Sequence, residues 1–352
     1  MSRITIPEVL ANVAELPGRT YDVVGITVAQ RVQALCDLHP KLRPHLFHGN
    51  GTIKDHFLLV AGGRVVMPTT ALASDDEIII MLATSGGIGC GSAMITNAER
   101  DRYARHIMLP QVGEQGQIKL KNSRVLIVGT GGLGSPIAMY LAAAGVGVIG
   151  LADFDRVDES NLQRQIVHGV NTVGIQKVLS AQRRLKEIND FVIVEPHDIT
   201  LTSDNAAGLI ARYDVVVDGC DNFETRYILN AACRLANKPY VYGSIFQFDG
   251  QISVFLPERG PCYQCLYPEM PPSVVAPNYQ NKGVLGVLPG IVGILEATET
   301  LKILLNIGKI MAGRLLICDA LAMTFHEIAF DPRPDCPICG STSMVSNRHA
   351  TA

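Results

Sequence analysis

The chain lacks a dominant charge. Thirty Lys and Arg stand against thirty-three Asp and Glu over 352 residues, a formal net charge of −3. Nothing in that balance argues for nucleic acid or an anionic membrane as the partner, and any basic site must be local. Long hydrophobic runs are missing too. The longest, from Val284 to Leu295, is too short to span a bilayer and leads into Glu296, Glu299 and Lys302, the pattern of a buried helix gaining a polar face. The opening Met1-Ser-Arg-Ile has no signal-peptide apolar stretch, so a cytoplasmic protein is expected. There is no internal repeat, no low-complexity tract and no disulfide framework. Of nine cysteines, four form two Cys-x-x-Cys pairs and five are scattered, the arithmetic of a metal site in a reducing compartment. What is present is apolar bulk: 47% hydrophobic residues, ample for about two domains with their own cores.

Two textures divide the chain. Residues 1–87 read as a small α+β domain. Ile4 and Ile6 alternate with polar neighbours, and Thr27 is placed to cap a helix carrying Val28, Val32, Leu35 and Cys36 on one face. Apolar runs at Phe57–Val60, Val65–Met67 and Ile78–Leu82 are separated by turn signals. Strands on both sides of one helix suggest a β-grasp (ubiquitin-like) module. It ends at Gly86-Gly87, and a glycine-rich linker over 88–96 follows. From Asn97 to the end of the chain, strands alternate with helices (Arg124–Val128, Pro136–Ala144, Val146–Ala152, Asp214–Val217), which implies a parallel, doubly wound sheet.

Gly129-Thr-Gly131-Gly132-Leu-Gly134 follows the first of these strands and opens a helix, where glycine lets backbone approach a phosphate and free helix N–H groups attract it. Asp153 ends the next strand, in place to accept from ribose hydroxyls. Up to this point NAD and ATP fit equally. The polar block Asp155 to Gln165 then stands where a dehydrogenase builds its crossover helix. Arg164, Lys177 and the Arg102-Tyr103-Ala104-Arg105 element add cations that suit a triphosphate better than hydride transfer. Asp221-Asn222 follows the strand ending at Val217, and one hard oxygen ligand beside phosphates is a common way to hold Mg²⁺.

Together, Arg-Tyr-x-Arg, Gly-x-Gly-Gly-x-Gly, the Ser160-Asn161-Leu-Gln163-Arg164-Gln165 block, Val173-Gly-x-x-Lys177 and Asp221-Asn222 resemble the MoeB/ThiF adenylyltransferases, relatives of ubiquitin-activating enzymes, over residues ~97–341. The resemblance implies a Rossmann-like adenylation domain over 97–352. In it ATP has Gly132 at the phosphates, Asp153 at the ribose and Asn161, Arg164 and Lys177 around the phosphate chain. Ser160, Gln163 and Asn222 belong to the same site, and Asp221 takes Mg²⁺. Arg105 reaches the phosphates from the neighbouring subunit of a homodimer. The implied reaction is attack of a carrier's C-terminal glycine carboxylate on the α-phosphorus of ATP, giving an acyl-adenylate and pyrophosphate.

Cys262-Tyr-Gln-Cys265 and Cys336-Pro-Ile-Cys339 supply four thiolates, a closed tetrahedral set suited to structural Zn²⁺. Relatives often carry another cysteine in the loop before the Gly283-Val284 helix start; here Tyr279 holds that position, so a separate persulfide donor is expected to attack the adenylate. The front domain resembles the ThiS/MoaD/CysO sulfur carriers. Gly87, however, is locked in a peptide bond to Ile88, so either it is released by cleavage or the substrate is a separate ubiquitin-like carrier. Rival readings are adenylation of a peptide or tRNA, a non-catalytic scaffold presenting the front domain, and a nicotinamide oxidoreductase. No nucleic-acid or membrane partner is expected.

Overall fold

The computed structural model describes residues 2–47, 53, 57–62, 64–73, 76–82, 95–271 and 283–340; Gly86-Gly87, Cys90 and Tyr279 lie outside them. The chain divides into two compact units, Met1–Gly91 and Ser92–Ala352.

In the first unit the elements run β1 (Ser2–Thr5), α1 (Glu8–Val13), β2 (Thr20–Val23), α2 (Val28–Leu38), α3 (Arg43–Leu46), β3 (Phe57–Ala61), β4 (Arg64–Val65) and β5 (Ile78–Leu82). The sheet order is β2-β1-β5-β3-β4, with β1 and β5 parallel and the other pairs antiparallel. Thr27 accepts from the Gln30 N–H while Gln30 reaches back to the Thr27 N–H, a reciprocal cap that fixes where α2 starts. The apolar stripe Val28, Val32 and Leu35 then meets Ile4, Ile6 and Ile78 in a closed core. Arg31 is buried on the same helix. Its guanidinium donates to the carbonyls of Gly25, Ala73 and Asp76, tying the segment before β5 to α2.

The second unit begins with α4 (Asn97–Arg102), α5 (Ala104–Ile107) and α6 (Gly113–Asn122). Next come β6 (Arg124–Val128), α7 (Gly134–Ala144), β7 (Val148–Ala152), α8 (Lys177–Ile188), β8 (Ile193–His197), α9 (Ser203–Ile210), β9 (Val215–Asp218) and α10 (Phe223–Leu235). The chain continues through β10 (Tyr240–Phe246), β11 (Asp249–Phe255), α11 (Tyr263–Leu266), α12 (Leu288–Leu305), β12 (Arg314–Asp319) and β13 (Thr324–Ala329). The sheet order is β13-β12-β11-β10-β9-β6-β7-β8. The block β10-β9-β6-β7-β8 is parallel and β11 to β13 extend it antiparallel. From β6 the chain winds outward to β8 and returns to β9 on the other side of β6. The winding therefore reverses between the carboxyl ends of β6 and β9, the place where open α/β sheets bind ligands. β6 and β9 are near-continuous apolar runs because helices cover both their faces. β8 has no such run: Glu195 and Pro196 interrupt it, and among the described residues it pairs only with β7, at the sheet edge.

Helix α12 carries a buried anomaly. Glu296 is fully enclosed, and neither carboxyl oxygen has a hydrogen-bond partner among the described residues. The carboxyl lies flat against Gly243 of β10, where a Cβ would stand 2.2 Å from the Glu296 carboxyl carbon. Burial, reinforced by the charge of Asp218 and opposed by Arg226, pushes the Glu296 carboxyl well above the usual range, so it folds as a neutral acid. An acid whose folded pKa is raised contributes fully below its unfolded pKa. Its contribution is lost as pH climbs from about 4.3 toward the folded value. Glu296→Met is therefore expected to stabilise the protein by about 1–3 kcal/mol near neutral pH and by less at pH 4, read from urea midpoints at both pH values.

Candidate active site

Three turns converge where the winding reverses. Gly129 follows β6 with φ +90°, and a Cβ on it would lie 2.4 Å from the Gly219 carbonyl oxygen just after β9. Only bare backbone fits both sides of this contact. The Thr130 N–H and hydroxyl donate to one oxygen of Asp153 at 2.7 and 2.9 Å, and the Asp155 N–H donates to the other at 2.9 Å. Asp153 thus braces the glycine turn while keeping acceptor capacity on both oxygens. Neither Gly131 nor Gly132 gives its N–H to an acceptor among the described residues, and α7 starts immediately behind them.

A cavity of about 260 Å³ opens over this fork, and Gly132, Asp153, Arg164, Lys177, Asp221 and Asn222 all line it. Lys177 is the first residue of α8, where its charge opposes the helix dipole, and it is buried. Its ammonium pairs with Asp155, also in the lining, at 2.8 Å. A cation in that position gains nothing from the helix, and the ion pair with Asp155 is what holds it at the cavity. Arg164 is held from behind by Asn161, whose side-chain oxygen accepts from the guanidinium at 2.9 Å. Asp221 is exposed and makes no hydrogen bond or ion pair among the described residues, so its carboxylate fits a cation ligand. The cap of α10 is Asn222, accepting from the Thr225 N–H at 2.8 Å, which leaves Asp221 to the cavity.

Other expected residues stand outside the lining. Ser160 and its N–H both bond Asp158, closing a short turn. Asn161 acts through Arg164. Gln163 is exposed and lies against Gly286 ahead of α12. Arg105 is exposed on α5, beside Tyr103, whose buried ring is anchored by a 2.7 Å bond from Asn189. Unforeseen members of the lining include Gln165, Cys220 and Arg226. Gln165 belongs to the same polar block as Gln163, and only the fold distinguishes them. Arg226 sits four residues after Asn222, one helical turn on, which was the available signal. It forms the floor: Nε bonds Asp218 at 3.2 Å, and one terminal nitrogen bonds the Cys220 and Gly243 carbonyls at 3.0 and 3.3 Å. Burial and the negative charge of Asp218 push the Cys220 thiol well up, so it is no nucleophile at neutral pH.

The second cluster is made of sulfur. Cys262, Cys265, Cys336 and Cys339 bring four Sγ atoms within 4.8 Å of one another. Individual separations are 4.0 Å (Cys262 to Cys265), 3.6 Å (Cys262 to Cys336) and 3.2 Å (Cys265 to Cys339), against ~3.8 Å for the edge of a tetrahedron with Zn–S bonds of ~2.3 Å. Asn230 donates to Cys262 and the Arg333 N–H to Cys265, an outer shell for thiolates. Burial pushes the Cys262 thiol up to about 11 and raises Cys339 further, a cost that a divalent cation would reverse.

No helix among the described residues is long and apolar enough to cross a membrane. Residues 103–338 match the model of the ThiF family. The sulfur carrier protein adenylyltransferase of Thermus thermophilus is 50% identical over 250 residues, 70% of this chain and 92% of that protein. The SAMP-activating enzyme E1 of Haloferax volcanii is 48% identical, covering 70% and 91%. For the probable adenylyltransferase/sulfurtransferase MoeZ of Mycobacterium tuberculosis the identity is 46%, over 70% of this chain but only 64% of that protein. Among solved structures, Escherichia coli MccB with ATP superposes with a TM-score of 0.60 over 70% of this chain and 75% of that one, at 22% identity, a likeness of fold. By its family match, its relatives and its mixed α/β fold around a parallel sheet, the chain belongs to the ThiF family of adenylating enzymes.

Proposed function

We propose that the protein is an adenylyltransferase that activates the C-terminal Gly-Gly carboxylate of a ubiquitin-like sulfur carrier at the expense of ATP. The observation that carries this reading is the cavity at the β6/β9 fork. It joins a glycine turn with free N–H groups, the cations Arg164, Lys177 and Arg226, and the uncommitted carboxylate of Asp221. Relatives named for sulfur-carrier activation support the substrate class.

In this reading the glycine turn and Asp153 hold the nucleotide, and Arg164 and Lys177 stabilise the charge that grows at phosphorus and on the departing pyrophosphate. Lys177 exchanges Asp155 for phosphate oxygens. The carrier carboxylate is ionised at neutral pH and attacks the α-phosphorus without a general base; the bond to pyrophosphate breaks as the acyl–phosphate bond forms. Asp221 would hold Mg²⁺, which neutralises phosphate charge when bound. Ser160, Asn161 and Gln163 shape the segment that presents Arg164, and Asn222 fixes the helix start behind Asp221. The terminal sulfur of a persulfide donor then attacks the acyl carbon, and the acyl–phosphate bond breaks to release AMP.

Residues 1–87 are proposed to be a β-grasp carrier-like domain, with 88–96 as its tether. Support comes from the β2-β1-β5-β3-β4 order, in which a central parallel pair is flanked by antiparallel neighbours and shares its core with α2. That domain serves either as substrate after cleavage at Gly87 or as a docking module for a separate carrier. The four cysteines are proposed to hold structural Zn²⁺, stapling the segment after β13 to α11. A homodimer is proposed because Arg105, exposed on α5, is outside its own chain's cavity lining.

Carrier-dependent exchange of labelled pyrophosphate into ATP is the central test. Lys177→Ala and Asp221→Ala are each expected to lower it about 10²–10³-fold, and full exchange in either variant would overturn the assignment. Co-purified mixtures of inactive Arg105→Ala and Asp221→Ala chains should regain about a quarter of wild-type exchange if Arg105 acts across a dimer, and none if it acts within its own subunit. Metal analysis should find one zinc per chain, and Cys339→Ser should lose it together with several degrees of Tm.

A further inference from the structure

His168 has no place in the chemistry above, yet it is buried directly beneath the glycine turn. Its Nε2 lies 3.0 Å from the Thr130 carbonyl oxygen, and its Nδ1 lies 2.9 Å from the Ser180 hydroxyl on α8. A carbonyl only accepts, so Nε2 carries a proton and donates to Thr130. Burial pushes the imidazole pKa below its ordinary value, with the Thr130 bond opposing and Lys177 adding to the fall. The Ser180 hydroxyl beside Nδ1 donates to the Thr172 hydroxyl at 2.9 Å, linking the ring to the turn ahead of α8.

The consequence lies in the next peptide plane. In a trans peptide the carbonyl and the following N–H point in opposite directions. With the Thr130 oxygen held down by His168, the Gly131 N–H is turned to the opposite side. Gly131 lines the cavity and His168 does not. Asp153 already fixes the Thr130 N–H and hydroxyl. Ser135 holds the Gly131 carbonyl on the other flank, so without His168 both flanks stay anchored but no bond among the described residues holds the Thr130–Gly131 plane between them, and glycine at 131 lets that plane turn.

We propose that His168 is a positioning residue that locks the Thr130–Gly131 peptide so that its N–H is presented to the phosphates of the nucleotide before the nucleotide binds. The inference rests on the nucleotide site proposed above. It assigns a function to a histidine that touches neither substrate. Preorganised donors cost no reorganisation at the moment of reaction, and that is the property a peptide flip would remove.

The two ring contacts can be separated by substitution in the full-length protein. Glutamine places its amide nitrogen as many bonds from Cα as Nε2, and asparagine places its own where Nδ1 stands. His168→Gln should therefore keep the bond to Thr130, and His168→Asn should lose it while retaining the contact to Ser180. Binding of ATP and of adenosine is measured by calorimetry, with pyrophosphate exchange in parallel. The expectation for His168→Asn is about tenfold weaker ATP binding with adenosine affinity unchanged, and for His168→Gln near wild-type behaviour with both ligands. Equal loss for ATP and adenosine, or ATP binding by His168→Asn at wild-type strength, would overturn the proposal. Wild-type protein that does not prefer ATP over adenosine would instead overturn the reading of the site. Should both His168 variants fail to fold, Ser180→Ala frees Nδ1. A few-fold loss for ATP alone then supports the lock, and no loss overturns it.

Discussion

The fork of the sheet depends on a contact between bare backbones. A Cβ on Gly129 would strike the Gly219 carbonyl, one on Gly219 would stand 2.4 Å from the Gly129 oxygen, and one on Gly134 would stand 2.0 Å from that same oxygen. Because the turns after β6 and β9 can approach this closely, the start of α7 and the Asp221 loop meet over one cavity. Separating them by a single methyl group would push the free glycine N–H groups away from the Asp221 carboxylate. The parallel packing of β6 against β9 exists to hold this contact in register: Val128 pairs with Asp218, the residues before each glycine.

Beneath the fork the protein tolerates an unusual concentration of buried charge. Asp218 accepts from Arg226, Tyr240 and the Cys220 N–H, so its carboxylate is satisfied by a full shell of donors. Such a pair is a weak source of stability, since desolvation offsets most of its attraction, but it is specific in geometry. Arg226 spans β9, the Cys220 turn and β10, fixing the backbone on which Asp221 stands. Glu296 is the remainder of this arrangement: burial and the neighbouring Asp218 favour its neutral form, and its carboxyl has no hydrogen-bond partner among the described residues.

Much of the candidate site was legible in the sequence because its signals are local. A glycine run between an apolar strand and a helix, and a lysine opening a helix, each carry their meaning within a dozen residues. Pairs of cysteines at knuckle spacing do the same, and Thr27 announced α2 by the same locality. The edge strand β8 was not legible, since Glu195 and Pro196 erase the apolar run that marks β6 and β9. Within the polar block, side-chain direction was equally hidden. The segment is a sequence of short turns with no period, so nothing local says that Gln165 faces the cavity and Gln163 faces Gly286. The assignment of the helix cap to Asn222 rather than Asp221 is likewise decided by one hydrogen bond.

The sequence by itself determined which chemical groups are available: a glycine turn with bare backbone, cations, a short carboxylate and four thiols, because these are properties of residue types at short spacing. Tertiary structure alone decided which of them act together. Asp221 reaches the glycine turn only because β9 pairs beside β6. Cys336 reaches Cys262 only because the chain returns past β13, and the Thr130 carbonyl finds His168 only because the polar block folds under the turn. Each of these contacts joins residues from 38 to some 90 positions apart, a separation over which the chain carries no local memory and packing of the core makes the choice.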